Sequence, residues 1–265
     1  MSDIIKKQLE KVEKQEQKYL QQKESTLQKK SKAFSHALEQ KIPLKLRESI
    51  QNAFYKGFLV IFEKGTSVIE KTYDKEKILW EYQFQDKKFC ENKKRKQFKK
   101  LEKCANKSNR MNIAVTAAEG AGLGILGIGL PDIPIFLAVI LKGIYETALH
   151  YGYDYNNKRE QIYILRLMRS AMAQQEQKKQ YDELVEKTAE DIEKEIAVPY
   201  DFKQEVRETA EVFSNAMLIA KFIQGIPLVG VTGSGYNVMV YTKILKYCHR
   251  KYKKRYLMNR QQSLY

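Results

Sequence analysis

One apolar, glycine-rich run between residues 111 and 151 constrains this chain more than anything else in it. It holds Gly120, Gly122, Gly124, Gly127 and Gly129, five of the thirteen glycines, and a second run adds Gly225, Gly230, Gly233 and Gly235. Glycine costs roughly 1 kcal/mol against alanine inside a helix, so clustering it in apolar sequence needs a compensating gain. The physical candidates are close backbone approach between helices, or of the chain to a membrane. At the centre of the first run, Leu130-Pro131-Asp132-Ile133-Pro134 breaks any continuous rod, because proline lacks an amide donor and disfavours helical backbone in the residue before it. Asp132 is placed to cap a second helix with Pro134 in its first turn. That helix buries Ile133, Leu137, Ile140, Leu141, Ile144 and Ala148 at helical spacing, which makes the region a hairpin. The second run loosely repeats the pattern around Pro227 and Asn237.

The rest of the chain is helical in the same sense. Five prolines in 265 residues, abundant Lys, Glu, Gln and Leu, and no convincing period-two alternation predict an all-α multi-helix bundle with two glycine-rich apolar hairpins. Two parts are expected: a charged N-terminal helix over 1–33, with a thin stripe of Ile5, Leu9, Val12 and Tyr19, and a helical domain over 34–265. The thin stripe suits a helix that is mobile or docks on a partner. Within the domain, Ile50, Phe54, Phe58 and Ile61 mark a buried helix face, as does Leu46 by spacing. Gly152 is a natural C-cap, and Asn157 with Glu160 resembles a capping box.

The net charge of +16 is concentrated. Residues 87–110 hold eleven Lys and Arg against Glu91 and Glu102, a net of +9, and residues 243–260 hold eight with no acid. These blocks include Lys93, Lys94, Arg95, Lys96, Lys99 and Lys100 in the first, and Arg250, Lys251, Lys253, Lys254 and Arg255 in the second. They read either as solvated helix faces or as contacts to an anionic partner, phospholipid headgroups or nucleic acid. Cys90, Cys104 and Cys248 form no CxxC, and the charged N-terminus is no export signal. Together they suggest a reducing, cytoplasmic setting.

The order of short motifs carries a resemblance. A glycine-rich run with Gly122 and Gly127 leads to Leu130-Pro131-Asp132, then to Tyr151-Gly152-Tyr153-Asp154, then to Gly225-Ile226-Pro227-Leu228-Val229-Gly230 and Asn237. In this order the chain resembles the EcsC family over roughly residues 45–257, leaving out the N-terminal helix. The resemblance implies a bacterial, membrane-associated or cytoplasmic-side protein whose family takes its name from a gene beside an ABC transporter. It implies no established activity, and no catalytic residues come with it.

Chemistry offers less. Gly122-Leu123-Gly124-Ile125-Leu126-Gly127 has the letters of a dinucleotide loop, but Gly129, Pro131 and Pro134 destroy the helix that must follow it. His36, His150 and His249 are scattered away from metal-ligand spacing. No catalytic residue, cofactor or metal is assigned, although a hydrolase assembled from distant helices would leave no local motif. The hairpins are either a soluble core packed through glycine or a re-entrant membrane insertion. Residues 111–130 carry one charge, Glu119, over about the length a bilayer crossing needs, but the return arm holds Lys142 and Glu146. Shallow insertion is therefore favoured over full spanning. Basic blocks flank both hairpins on one side, and Tyr145, Tyr151, Tyr153, Tyr155, Tyr247, Tyr252 and Tyr256 suit headgroup depth or a satisfied interior equally. The residues thus point to a protein on the inner membrane face with an anionic membrane surface as partner, and the resemblance to the EcsC family implies an accessory role beside an ABC transporter complex. The alternative is a soluble basic protein that binds nucleic acid or a protein through the aromatic, basic tail at 249–256.

Overall fold

A computed structural model describes residues 3–21, 43–92, 94–105, 133–197, 200–223 and 233–262, and those residues are helical with no strand among them. Helix α1 spans Asp3–Leu20 and α2 spans Leu44–Val60. Then a π-helical turn, Ile61–Gly65, leads into the short α3, Thr66–Glu70. Helix α4 covers Lys75–Asn92, and α5 covers 95–105. The core of the fold is α6 (Ile133–His150) and α7 (Lys158–Met172). Around them lie α8 (Gln175–Glu193), α9 (Phe202–Ile223) and the long α10 (Gly233–Gln262). Gly120, Gly122, Gly124, Gly127, Gly129, Pro131, Asp132, Gly225, Pro227, Gly230 and Lys93 lie outside the described residues.

Apolar periodicity decides which faces turn inward. In α6 the stripe foreseen from spacing is buried, and from Gly143 onward every residue to His150 is buried as well. Such all-round burial marks a core helix packed on several sides. Its neighbours are α2, α4 and α10. Close approach to α10 requires glycine at position 143, where a Cβ would sit 2.5 Å from the Tyr241 hydroxyl oxygen. Among the described residues α6 is the one helix long and apolar enough to cross a membrane, with mean hydropathy 1.4, and 67% of it is buried inside the bundle. Helix α7 packs on α8, α9 and α10, and α2 lies on α9.

Between α6 and α7 the chain turns within a few residues. The Tyr153 amide donates to the Ala148 carbonyl (2.9 Å) and the Gly152 amide to the Leu149 carbonyl (3.0 Å), the paired bonds of a Schellman end. Gly152 takes φ +83° with the Tyr82 ring against its α-carbon, so a side chain there is strained both by backbone and by space. Asn157 caps α7 through its Oδ1, which accepts from the Arg159 amide at 2.8 Å. Glu160 does not complete the expected capping box. Its carboxylate turns inward to Arg255 and Tyr252 instead.

Helix α1 joins the same hydrophobic core, with Ile5, Leu9 and Val12 buried against α10. Its other side stays exposed and charged, and Glu16 adds ion pairs to Lys251 and Lys254 of α10 to the thin apolar stripe. Leu46 departs from the spacing and is exposed near the start of α2.

Candidate anionic-surface interface

The two basic blocks meet opposite environments. The second lies in the C-terminal half of α10, which runs through the middle of the fold. Lys251 is only 1% exposed, and its ammonium lies 2.9 Å from Glu16, 2.9 Å from Asp182 and 2.5 Å from Glu186. Lys254 reaches Glu16 (2.7 Å) and Glu186 (2.8 Å), while Lys253 pairs with Glu102 of α5 at 2.6 Å. Arg255, 4% exposed, bridges Glu160 and Glu193 at 2.9 and 2.7 Å, and its guanidinium lies 4.1 Å from the Tyr153 ring centre. Arg250 is half-buried, donating to the Gln15 carbonyl at 3.1 Å over the Tyr19 ring. These cations were expected to hold headgroups. As folded, Lys251, Lys253, Lys254 and Arg255 are spent on carboxylates of α1, α5, α7 and α8, since a charge taken out of water must be paired.

Protonation follows from that pairing. Burial pulls Lys251 down, but Glu186, Glu16 and Asp182 outweigh it and the group ends above its ordinary value. For Lys253 burial outweighs its one acid, Glu102, and the group ends below its ordinary value. Burial likewise pushes both His150 and His249 down to about 4. The His249 ring sits 3.3 Å from the Tyr151 hydroxyl.

Of the two readings open to the tyrosines, the fold takes the interior one. Tyr155 donates to Glu70 (2.5 Å), Tyr247 to Asp182 (2.6 Å), Tyr252 to Glu160 (2.7 Å) and Tyr256 to Asp86 (2.7 Å). Tyr145 stacks on Tyr155 at 4.1 Å, and Tyr153 is half-buried against Tyr252. With Tyr252 and Tyr256 buried, the aromatic tail offers no stacking platform for bases. Asp154 is exposed and accepts from the Asn156 amide at 3.1 Å, a turn-forming bond. Asn237 is half-buried near the start of α10 and lines a small apolar pocket with Phe54, Ile133 and Met217, while Gly233 and Gly235 form that helix's first turn. Among the described residues no three His, Cys, Asp or Glu side chains converge as metal ligands do.

The first block behaves differently. Phe98, Leu101 and Ala105 face the core from α5 at positions three and four apart. Arg95, Lys96, Lys99, Lys100 and Lys103 project from the opposite side, with Lys94 just before the helix, and all six are exposed. Among the described residues none of them has an ion-pair partner. The preceding helix shows an exposed aromatic pair, Trp80 (62% exposed) and Phe84 (40%), stacked at 5.2 Å and 11°. Lys88 continues that line one turn on, 3.9 Å from the Phe84 ring centre. Periodicity flagged the lysines but missed Trp80 as a surface residue. The available signal was that Trp80, Phe84 and Lys88 recur every four residues, out of step with Ile78 and Phe89.

The EcsC protein family pattern matches residues 6–257, nearly the whole chain. The chain belongs to the EcsC protein family. The match begins within α1. A further similarity is to Protein EcsC of Bacillus subtilis (strain 168), 28% identical over 123 residues, 46% of this chain. That match spans 48% of the Bacillus protein, about half its length. No solved structure matches this EcsC chain.

Proposed function

We propose that this EcsC-family protein is a membrane-associated accessory protein that docks on the anionic inner face of a bacterial membrane through the outer side of α5. One observation carries the reading: six exposed cations on one short stretch, with no acid partner among the described residues, where the equally basic stretch of α10 has Lys251, Lys253, Lys254 and Arg255 matched to carboxylates. Each Lys or Arg near an anionic leaflet contributes about 1 kcal/mol before salt screens it, so six are enough for reversible attachment. The apolar, nearly uncharged sequence of residues 111–130 follows that stretch directly and supplies an insertion-prone segment on the same side of the chain order. Helix α6 takes no part in insertion, since it is the packed centre of the bundle. Service to an ABC transporter rests on the family resemblance alone, and co-purification from native membranes tests it.

Flotation with phosphatidylglycerol-containing and neutral liposomes, at low and high salt, tests the docking. Binding to anionic vesicles only, lost in the triple variant Lys96→Glu, Lys99→Glu, Lys100→Glu, is the expected result. Binding that persists at high salt in the triple variant assigns attachment to the glycine-rich segments. No flotation under any condition rejects the membrane reading and moves nucleic acid or a protein partner to the front.

A further inference from the structure

We infer that the Trp80–Phe84 pair is the point at which this protein enters the headgroup layer, an inference that rests on the membrane reading above. Large aromatic side chains exposed on a helix need a reason, because exposed Trp forgoes the burial that its area allows. Here two of them stack face to face in consecutive turns, at the centre of a side that packs against nothing among the described residues. Their helix and the cationic helix are neighbours. Phe89 of α4 and Phe98 of α5 lie 5.4 Å apart, and each ring is 6.4 Å from Tyr256 of α10. Both helices thus turn an inner face to one residue, with Trp80 and Phe84 on the opposite side of α4 and the lysines on the opposite side of α5. At 1.5 Å rise per residue, Trp80 sits about 13 Å along the axis from Phe89, where the two helices meet, and the aromatic pair with the lysines of the neighbouring helix makes up the proposed footprint.

The chemistry of that footprint commits to a bilayer. Indole and phenyl rings partition to the interface between headgroup and acyl chain, where a ring is half-wet, and flanking ammonium groups meet lipid phosphates at the same depth. Lys77, Lys87 and Lys88 on α4 are offset by Glu76, Glu81 and Glu91, so the attraction to anions comes from α5 and the depth from the rings. Base stacking is a poorer use of the pair. Phe84 already has Trp80 from the turn before and Lys88 from the turn after against its ring, which leaves little open face for a base.

Trp80 is the single tryptophan of the chain, so the native protein reports on its own anchor. Emission is followed as the full-length protein is added to vesicles of phosphatidylglycerol and phosphatidylethanolamine, with and without brominated acyl chains, while co-sedimentation is measured on the same samples. Expected are a blue shift, quenching by the brominated lipid and loss of acrylamide access on binding. In Trp80→Ala and Phe84→Ser, chosen because both sites are exposed, partitioning falls roughly tenfold each while unfolding is unchanged. Co-sedimentation with Trp80 still open to acrylamide overturns the anchor and leaves the cationic docking intact. Absence of co-sedimentation removes both. Quenching by a single-stranded oligonucleotide without any response to vesicles overturns the inference in favour of nucleic acid.

Discussion

Residues 94–103 and 250–255 are both short runs dense in lysine and arginine, and on a helix their side chains have similar reach. In α5 the cations stand in solvent on one side, with Phe98 and Leu101 holding the other side down. In α10 the helix crosses the bundle, so every direction is occupied, and Glu16, Glu102, Glu160, Asp182, Glu186 and Glu193 arrive from four other helices to neutralise it. The lesson concerns net charge. Net charge does not say where charge is displayed: α10 has no acid of its own yet is neutralised by acids from its neighbours, while α5 sends its Glu102 to Lys253 and leaves its own cations in solvent. A buried ion pair adds little net stability against a well-packed apolar pair, but removing one partner strands the other.

That asymmetry gives the largest expected effect. Arg255→Ala leaves the buried Glu160 carboxylate without its bidentate partner and should destabilise the fold by about 3–5 kcal/mol, read as a lowered midpoint in urea unfolding. A change below 1 kcal/mol would break the contrast between the blocks. Next is acidification. Above pH 6.5, the ordinary histidine value, His150 and His249 are neutral whether folded or unfolded, and their contribution to stability is fully present. Between 6.5 and about 4 the unfolded chain binds protons that the buried rings refuse, so stability falls as pH falls through that window. Each histidine accounts for roughly 3 kcal/mol at most. Unfolding midpoints of wild type and of His150→Gln with His249→Gln between pH 7 and 4.5 check it, and the double variant should show a flatter dependence over that range. Third, Gly152→Ala should cost about 2 kcal/mol from the left-handed backbone and the Tyr82 contact together, part of it recovered in a background of Tyr82→Leu, as a thermal-shift cycle would show. Smallest is the α5 triple reversal used against liposomes. It should move stability by no more than about 0.5 kcal/mol, because those lysines have no ion-pair partner among the described residues. A large loss there would mean that the block is structural after all.

Much of the architecture was legible. The helical class, the core stripe of α6, the Gly152 end and the Asn157 cap follow from spacing and from backbone chemistry that acts within a few residues. The family order was legible too, although it begins earlier than the motifs suggested, since α1 carries only Ile5, Leu9 and Val12 as visible signal. What could not be read was which lysines are buried. The string Arg250-Lys251-Tyr252-Lys253-Lys254-Arg255 has no acid near it in sequence, and its acid partners lie 62 to 238 residues away. Nor does the spacing of Tyr247, Tyr252 and Tyr256 tell an interior ring with a carboxylate partner from an interfacial one.

By itself, then, the sequence determined what is set by short-range physics: helices, their ends, their apolar faces, and the totals of charge. Only the tertiary structure decided which of two equally basic stretches meets water and which meets carboxylates. Electrostatic pairing depends on distance in space, and in a bundle the groups that come within 3 Å of one another belong to helices far apart in the chain.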